Sequence, residues 1–154
     1  MLITALNVVH VLAATVWVGG TVALVFAAVP VIRLLEGESR ASSLAALGRR
    51  WRPFGWGSLA VLAGTGAANA RLNHAFAGAS IGFDSLLSVK LVLFVCLLGT
   101  AYVHDYVLGP ALARQIRASQ PQTLRRPLVL VGWTSFALTV TIPVLGVVLA
   151  ELGP

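Results

Sequence analysis

Apolar residues fall into four long blocks, near residues 3–32, 54–70, 86–109 and 127–150, separated by short stretches that hold most of the charge. Each block approaches or exceeds the length that a helix needs to cross a hydrocarbon core, about 20 residues. The pattern predicts an all-α integral membrane protein, an up-down bundle of four transmembrane helices forming one domain over residues 1–154. No Lys or Arg precedes the first block, and it is far longer than a signal-peptide core, so it is expected to stay as the first helix. Helix breakers suggest the boundaries. Pro53 opens the second segment, Gly109-Pro110 closes the third and Pro127 opens the fourth. Pro143 lies deep in the fourth segment, where a kink is expected, and residues 41–47 predict a short helix lying at the membrane surface.

Composition agrees with the pattern: 58% of residues are hydrophobic, 10% are charged and the mean hydropathy is +0.90, which excludes an ordinary soluble domain. The net charge of +6 is a topology signal and not a nucleic-acid footprint. Loop one holds Arg33, Arg40, Arg49, Arg50 and Arg52, and loop three holds Arg114, Arg117, Arg125 and Arg126. The second loop and both chain ends are nearly free of basic residues. Loops one and three are therefore expected in the cytoplasm, with both termini on the outer, periplasmic side of the cell inner membrane. The single cysteine, Cys96, excludes a disulfide framework within one chain. Neither a nucleophile motif nor a phosphate loop is present, and no intramembrane acid is available as a base. Glycines recur in the segments (Gly19, Gly20, Gly55, Gly57, Gly64, Gly66, Gly99, Gly132, Gly146), allowing close helix contacts within the chain or in a homo-oligomer.

Candidate chemistry lies with the few ionisable residues inside the blocks. His10 sits in a run of 32 uncharged residues, Met1 to Ile32, and such a residue in hydrocarbon marks a functional site by default. Asn7, His10, Ala14, Trp17 and Thr21 form one stripe of the first helix, and Lys90, Phe94, Leu97, Ala101 and His104 one stripe of the third. His10 lies roughly 10 Å below its outer helix end, near the level of Lys90, while His104 lies about 21 Å deeper than Lys90. His10 and His104 are thus too far apart to be two axial ligands of one haem iron, whose nitrogens stand roughly 4 Å apart. Two polar groups are expected: an outer one of His10, Asn69, His74, Lys90 and Thr141, and an inner one of His104, Asp105, Trp56 and Trp133.

Each residue also has a plainer reading. His10 ties helices by bonding a carbonyl or Thr141, Lys90 snorkels to the headgroups, and His74 is solvated in its loop. His104 with Asp105 caps or positions loop three. Trp17 and Trp133 pack, and Trp51 and Trp56 anchor at the interface.

Several stretches taken together resemble the CopD copper-resistance membrane domain: His10-x6-Trp17-Val-Gly19-Gly20, Arg49-Arg50-Trp51-Arg52-Pro53, Gly64-Thr-Gly66 and Leu86-Leu-Ser-Val-Lys90-Leu91. His104-Asp-Tyr-Val-Leu-Gly109-Pro110 is similar to a segment of small stand-alone proteins of that family. The resemblance implies copper uptake or tolerance across a bacterial inner membrane, with a copper ion held by His10, His74 and Met1 on the outer side and His104 as an inner metal candidate. Soft ligands are scarce, since Cys96 and Met1 are the only sulfur-bearing residues. A Met-lined Cu(I) pathway is therefore not expected, and Cu(II) held by imidazole and the N-terminal amine is the alternative.

His10 and Lys90 are also similar to the His and Lys of the HemJ family. That resemblance implies a haem b redox protein, with His10 as one axial ligand, Lys90 or His74 as the other, and Arg71 near the propionates. A scaffold subunit without chemistry is the third reading. The expected partners are the lipid bilayer, copper or haem, and a periplasmic metal or electron partner.

Overall fold

The computed structural model describes residues 1–72 and 81–152, and four helices account for nearly all of them. Helix α1 spans Leu2–Ile32, α2 spans Gly37–Leu72 and α4 spans Arg125–Leu152. Helix α3 runs through Ile81–Tyr102, a π turn at Val103–Leu108 and a last stretch at Gly109–Arg117. No strand occurs among the described residues. Leu2–Ile32, Gly82–Arg117 and Arg125–Glu151 are long and apolar enough to cross a membrane. The all-α, multi-pass membrane class expected from the hydropathy pattern therefore holds. Helix α2 falls short on composition, because Arg40, Arg49, Arg50 and Arg52 lie in its first half and Gly, Ala and Asn dilute its second.

The helices pack as a ring, α1 on α2, the end of α3 on α2, α3 on α4, and α4 more lightly on α1. The α1/α2 and α3/α4 pairs are antiparallel. His10 meets Thr65 while Trp17 lies by Gly55, and Lys90 meets Gly146 while His104 lies by Gly132. Val8, Val11, Leu12, Val16, Val92, Val95, Leu130, Val144 and Val147 all point outward. Such a continuous apolar surface is stable only in lipid. The interior is closed at mid-height by Trp17, Leu59, Leu97, Ala101 and Ile142. The Trp17 Nε1–H donates to Oγ1 of the buried Thr139, 3.0 Å away, which fixes the indole across the bundle.

Two expected breaks do not occur. Pro53 lies inside α2, so the surface helix and the membrane segment form one rod of 36 residues. A proline removes one backbone bond, and here the two residues before it are tied down: Trp51 packs over Gly20, and Arg52 Nη2 donates to the Asp105 carbonyl. Helix α3 likewise continues past Gly109-Pro110 to Arg117. The two π turns, Leu24–Ala28 and Val103–Leu108, each end two residues before a proline, Pro30 and Pro110. A proline ring clashes with the carbonyl four residues back, here Phe26 and Tyr106, and widening the helix around that carbonyl relieves the clash.

Past Arg117 the chain stops through Ser119 in the left-handed region, φ 51°, with Gln120 N bonded to Gln115 O. The Gln115 side chain then pins the start of α4 by donating to Thr123 Oγ1 at 2.9 Å.

Of the small-residue positions, Gly20 is the tightest: a Cβ there would lie inside the Trp51 indole, whereas Gly19 faces open space. Gly20→Ala is expected to cost about 1–3 kcal/mol through overpacking, and Gly19→Ala to change little. Reversible unfolding of the two variants in mixed micelles checks the contrast.

Candidate functional site

The register of α1 against α2 brings polar groups together in pairs one turn apart. Asn7 and His10 lie on one face of α1, and Thr65 and Asn69 on the facing side of α2. His10 Nδ1 lies 2.7 Å from Thr65 Oγ1, and Asn69 Nδ2 donates to Asn7 Oδ1 at 2.8 Å. The Thr65 hydroxyl has its own acceptor, the Val61 carbonyl at 2.7 Å. With its proton on that carbonyl, its oxygen accepts from His10 Nδ1–H. The neutral ring then carries its lone pair on Nε2, the form in which imidazole binds a metal. Metal-binding histidines are held this way, with the second nitrogen donating to a fixed acceptor.

Lys90 comes to the same level from α3. Its Nζ lies against Gly146 of α4, where a Cβ would be 3.1 Å away. Gly66 makes the matching space beside His10, with a Cβ position 3.6 Å from Cε1. These glycines give room to ionisable side chains and do not serve only the approach of two helix backbones.

The other outer candidates do not join this group. Thr141 points outward and bonds its own helix at Ala137 O, 2.9 Å. Met1 is fully exposed, nine residues and about 13 Å of helix above His10, and Arg71 is exposed at the end of α2. His74 lies outside the described residues.

The inner group assembles on the π turn of α3. His104 Nδ1 lies 3.0 Å from Asp105 Oδ1, and Asp105 Oδ2 accepts from Trp56 Nε1 at 3.3 Å. Arg52 binds the Asp105 carbonyl and lies over the Tyr106 ring, 4.7 Å from its centroid. Tyr102 stacks on Tyr106 at 5.3 Å. The His104 Nε2 edge faces Gly132, whose Cβ position is 3.4 Å away. Asp105 thus holds His104 by one nitrogen and leaves the other turned towards α4.

Trp56, expected as an interfacial anchor, donates into this cluster, and Trp51 packs between Gly20, Gly55 and Trp17. Trp133 stays outside it, turned outward and edge-on to Phe136. Among the described residues no three His, Cys, Asp or Glu side chains gather as a metal cluster.

A family model for copper resistance protein D, CopD, matches residues 45–150. The chain belongs to the CopD family. The match spans most of α2 and all described residues of α3, so it takes in Thr65, Asn69, Lys90 and the His104 cluster. It begins after α1, so His10 lies outside it, while its partner Thr65 lies within it. The family relates the protein to copper resistance and lends no support to haem b. No curated protein and no solved structure matches the chain.

Asp105→Ala removes the acceptor of both His104 and Trp56 and leaves half-buried donors unpaired. A loss of about 1–3 kcal/mol is expected, with a shift in tryptophan emission. Unfolding followed by fluorescence measures both.

Proposed function

We propose that this CopD-family protein binds copper on the outer side of the inner membrane through His10 and helps it towards the cytoplasm. The observation that carries the reading is the Thr65 bond. It fixes the His10 ring, and with the hydroxyl already engaged by Val61, it leaves Nε2 as a free donor inside the bundle. An oriented imidazole with a free lone pair is a ligand waiting for a metal, and the family supplies copper.

The reading includes four crossings with both termini outside. The antiparallel packing of α2 along α1 supports the fourth crossing, and the distribution of Arg supports the orientation. In it His104, held by Asp105, is the inner station, and Met1 lies on the approach side, where a periplasmic metal partner delivers the ion. Trp17, Leu59, Leu97, Ala101 and Ile142 lie between the stations, so transfer needs this layer to part. The π turns in α1 and α3 offer places for that movement.

Copper titration of the purified protein, with a chromophoric chelator as competitor, tests the reading. The wild type is expected to bind, and His10→Ala to lose that binding. Equal binding by His10→Ala excludes the outer site. Thr65→Val removes the orienting acceptor and is expected to weaken copper by about 10–100-fold while the fold is kept. Circular dichroism on the same samples separates the two effects.

A further inference from the structure

We propose that the outer site takes copper as Cu(II), with Asn69 Oδ1 as a second ligand beside His10 Nε2, and selects against Cu(I). The inference rests on the copper reading above and adds an oxidation state and a ligand.

Asn69 lies one turn beyond Thr65 on α2. Its Nδ2 is engaged by Asn7, but its Oδ1 is buried and has no hydrogen-bond partner among the described residues. A buried carbonyl oxygen without a partner is costly and rare, and it calls for an explanation. The neighbouring Gly66, three residues before Asn69, has no side chain, and His10 Cε1 is the one atom near its Cβ position. The Cε1 corner of the imidazole, bonded to Nε2, therefore borders Gly66, and the orphaned oxygen belongs to the residue one turn further along the same helix. A metal bound there satisfies the oxygen and the Nε2 lone pair together.

The donor types decide the oxidation state. Cu(I) prefers thiolate and thioether, whereas imidazole nitrogen with carbonyl oxygen suits Cu(II). Sulfur is not at hand: Cys96 is exposed on α3, six residues deeper than Lys90 and about 9 Å along the helix, and Met1 is exposed at the far end of α1. The Lys90 ammonium sets the net charge. It opposes a bare dication and favours Cu(II) that carries an anion, such as hydroxide, chloride or a carboxylate. No electron is transferred in this binding step.

The test uses the full chain in nanodiscs, titrated with Cu(II) in air and separately with Cu(I) under anaerobic reducing conditions. Cu(II) is expected to bind at least about tenfold more tightly than Cu(I). Its electron paramagnetic resonance spectrum is expected to carry coupling to one imidazole nitrogen that is lost in His10→Ala. Asn69→Ala is expected to weaken Cu(II) by roughly tenfold, and Asn69→Asp, which puts an anionic oxygen at the same place, to strengthen it. An asparagine that only ties helices would give weaker or unchanged binding in both. Tighter Cu(I) than Cu(II), or Cu(II) affinity insensitive to both Asn69 substitutions, overturns this proposal and leaves the His10 copper site standing. Failure of either ion to bind the wild type removes both.

Discussion

In hydrocarbon a polar side chain has no water to turn to, so each one placed there must find its partner inside the bundle. That requirement organises this protein. Asn7 with Asn69, His10 with Thr65, Trp17 with Thr139, and Asp105 with Trp56 and His104 each join two helices or fix a side chain between them. Outside these bonds the helices present apolar side chains to lipid, and lipid gives them no hydrophobic reason to associate. The polar pairs therefore set the register of α1 on α2 and of α2 on α3, and glycines on the facing helices make room for His10, Lys90 and His104.

The two groups at the outer and inner levels differ in what they leave free. In the outer group a hydroxyl meets an imidazole and two amides meet each other, and the buried Asn69 Oδ1 remains without a partner among the described residues. In the inner group the carboxylate of Asp105 uses both oxygens, and the Arg52 guanidinium spreads its charge over a backbone carbonyl and the Tyr106 ring. The first arrangement keeps a buried polar atom unpaired. The second is already largely satisfied, as suits a cluster that also holds α2 and α3 together below the middle of the bundle.

Depth was legible in the sequence because the rise of a helix is fixed. The grouping of His10 with Lys90, and of His104 with Asp105 and Trp56, follows from residue counts along antiparallel helices. The partner of His10 was not legible. Thr15, Thr21, Thr65, Thr100, Thr134 and Thr141 all bond the carbonyl one turn back in their own helix. Which of them also accepts from a second helix depends on inter-helix register, and Thr141 was as reasonable a choice as Thr65. The flanking Gly64 and Gly66 were the available signal, since small neighbours let another helix come close enough to use the hydroxyl. Proline positions misled for a related reason. Pro53 and Pro110 look like boundaries locally, but anchoring of Trp51 and Arg52 in one case and a π turn in the other keeps the chain helical.

The apolar layer at mid-height has a consequence for the cell as well as for the metal. A bundle with titratable side chains near both faces invites a chain of water molecules, and a water chain conducts protons. Leu59 and Leu97 are 1% and 2% exposed, and the Trp17 indole, locked on Thr139, fills the space beside them. A dry constriction of this kind bars water as a gate does in a channel. The packed layer thus leaves no room at that level for a file of water molecules linking the two polar groups.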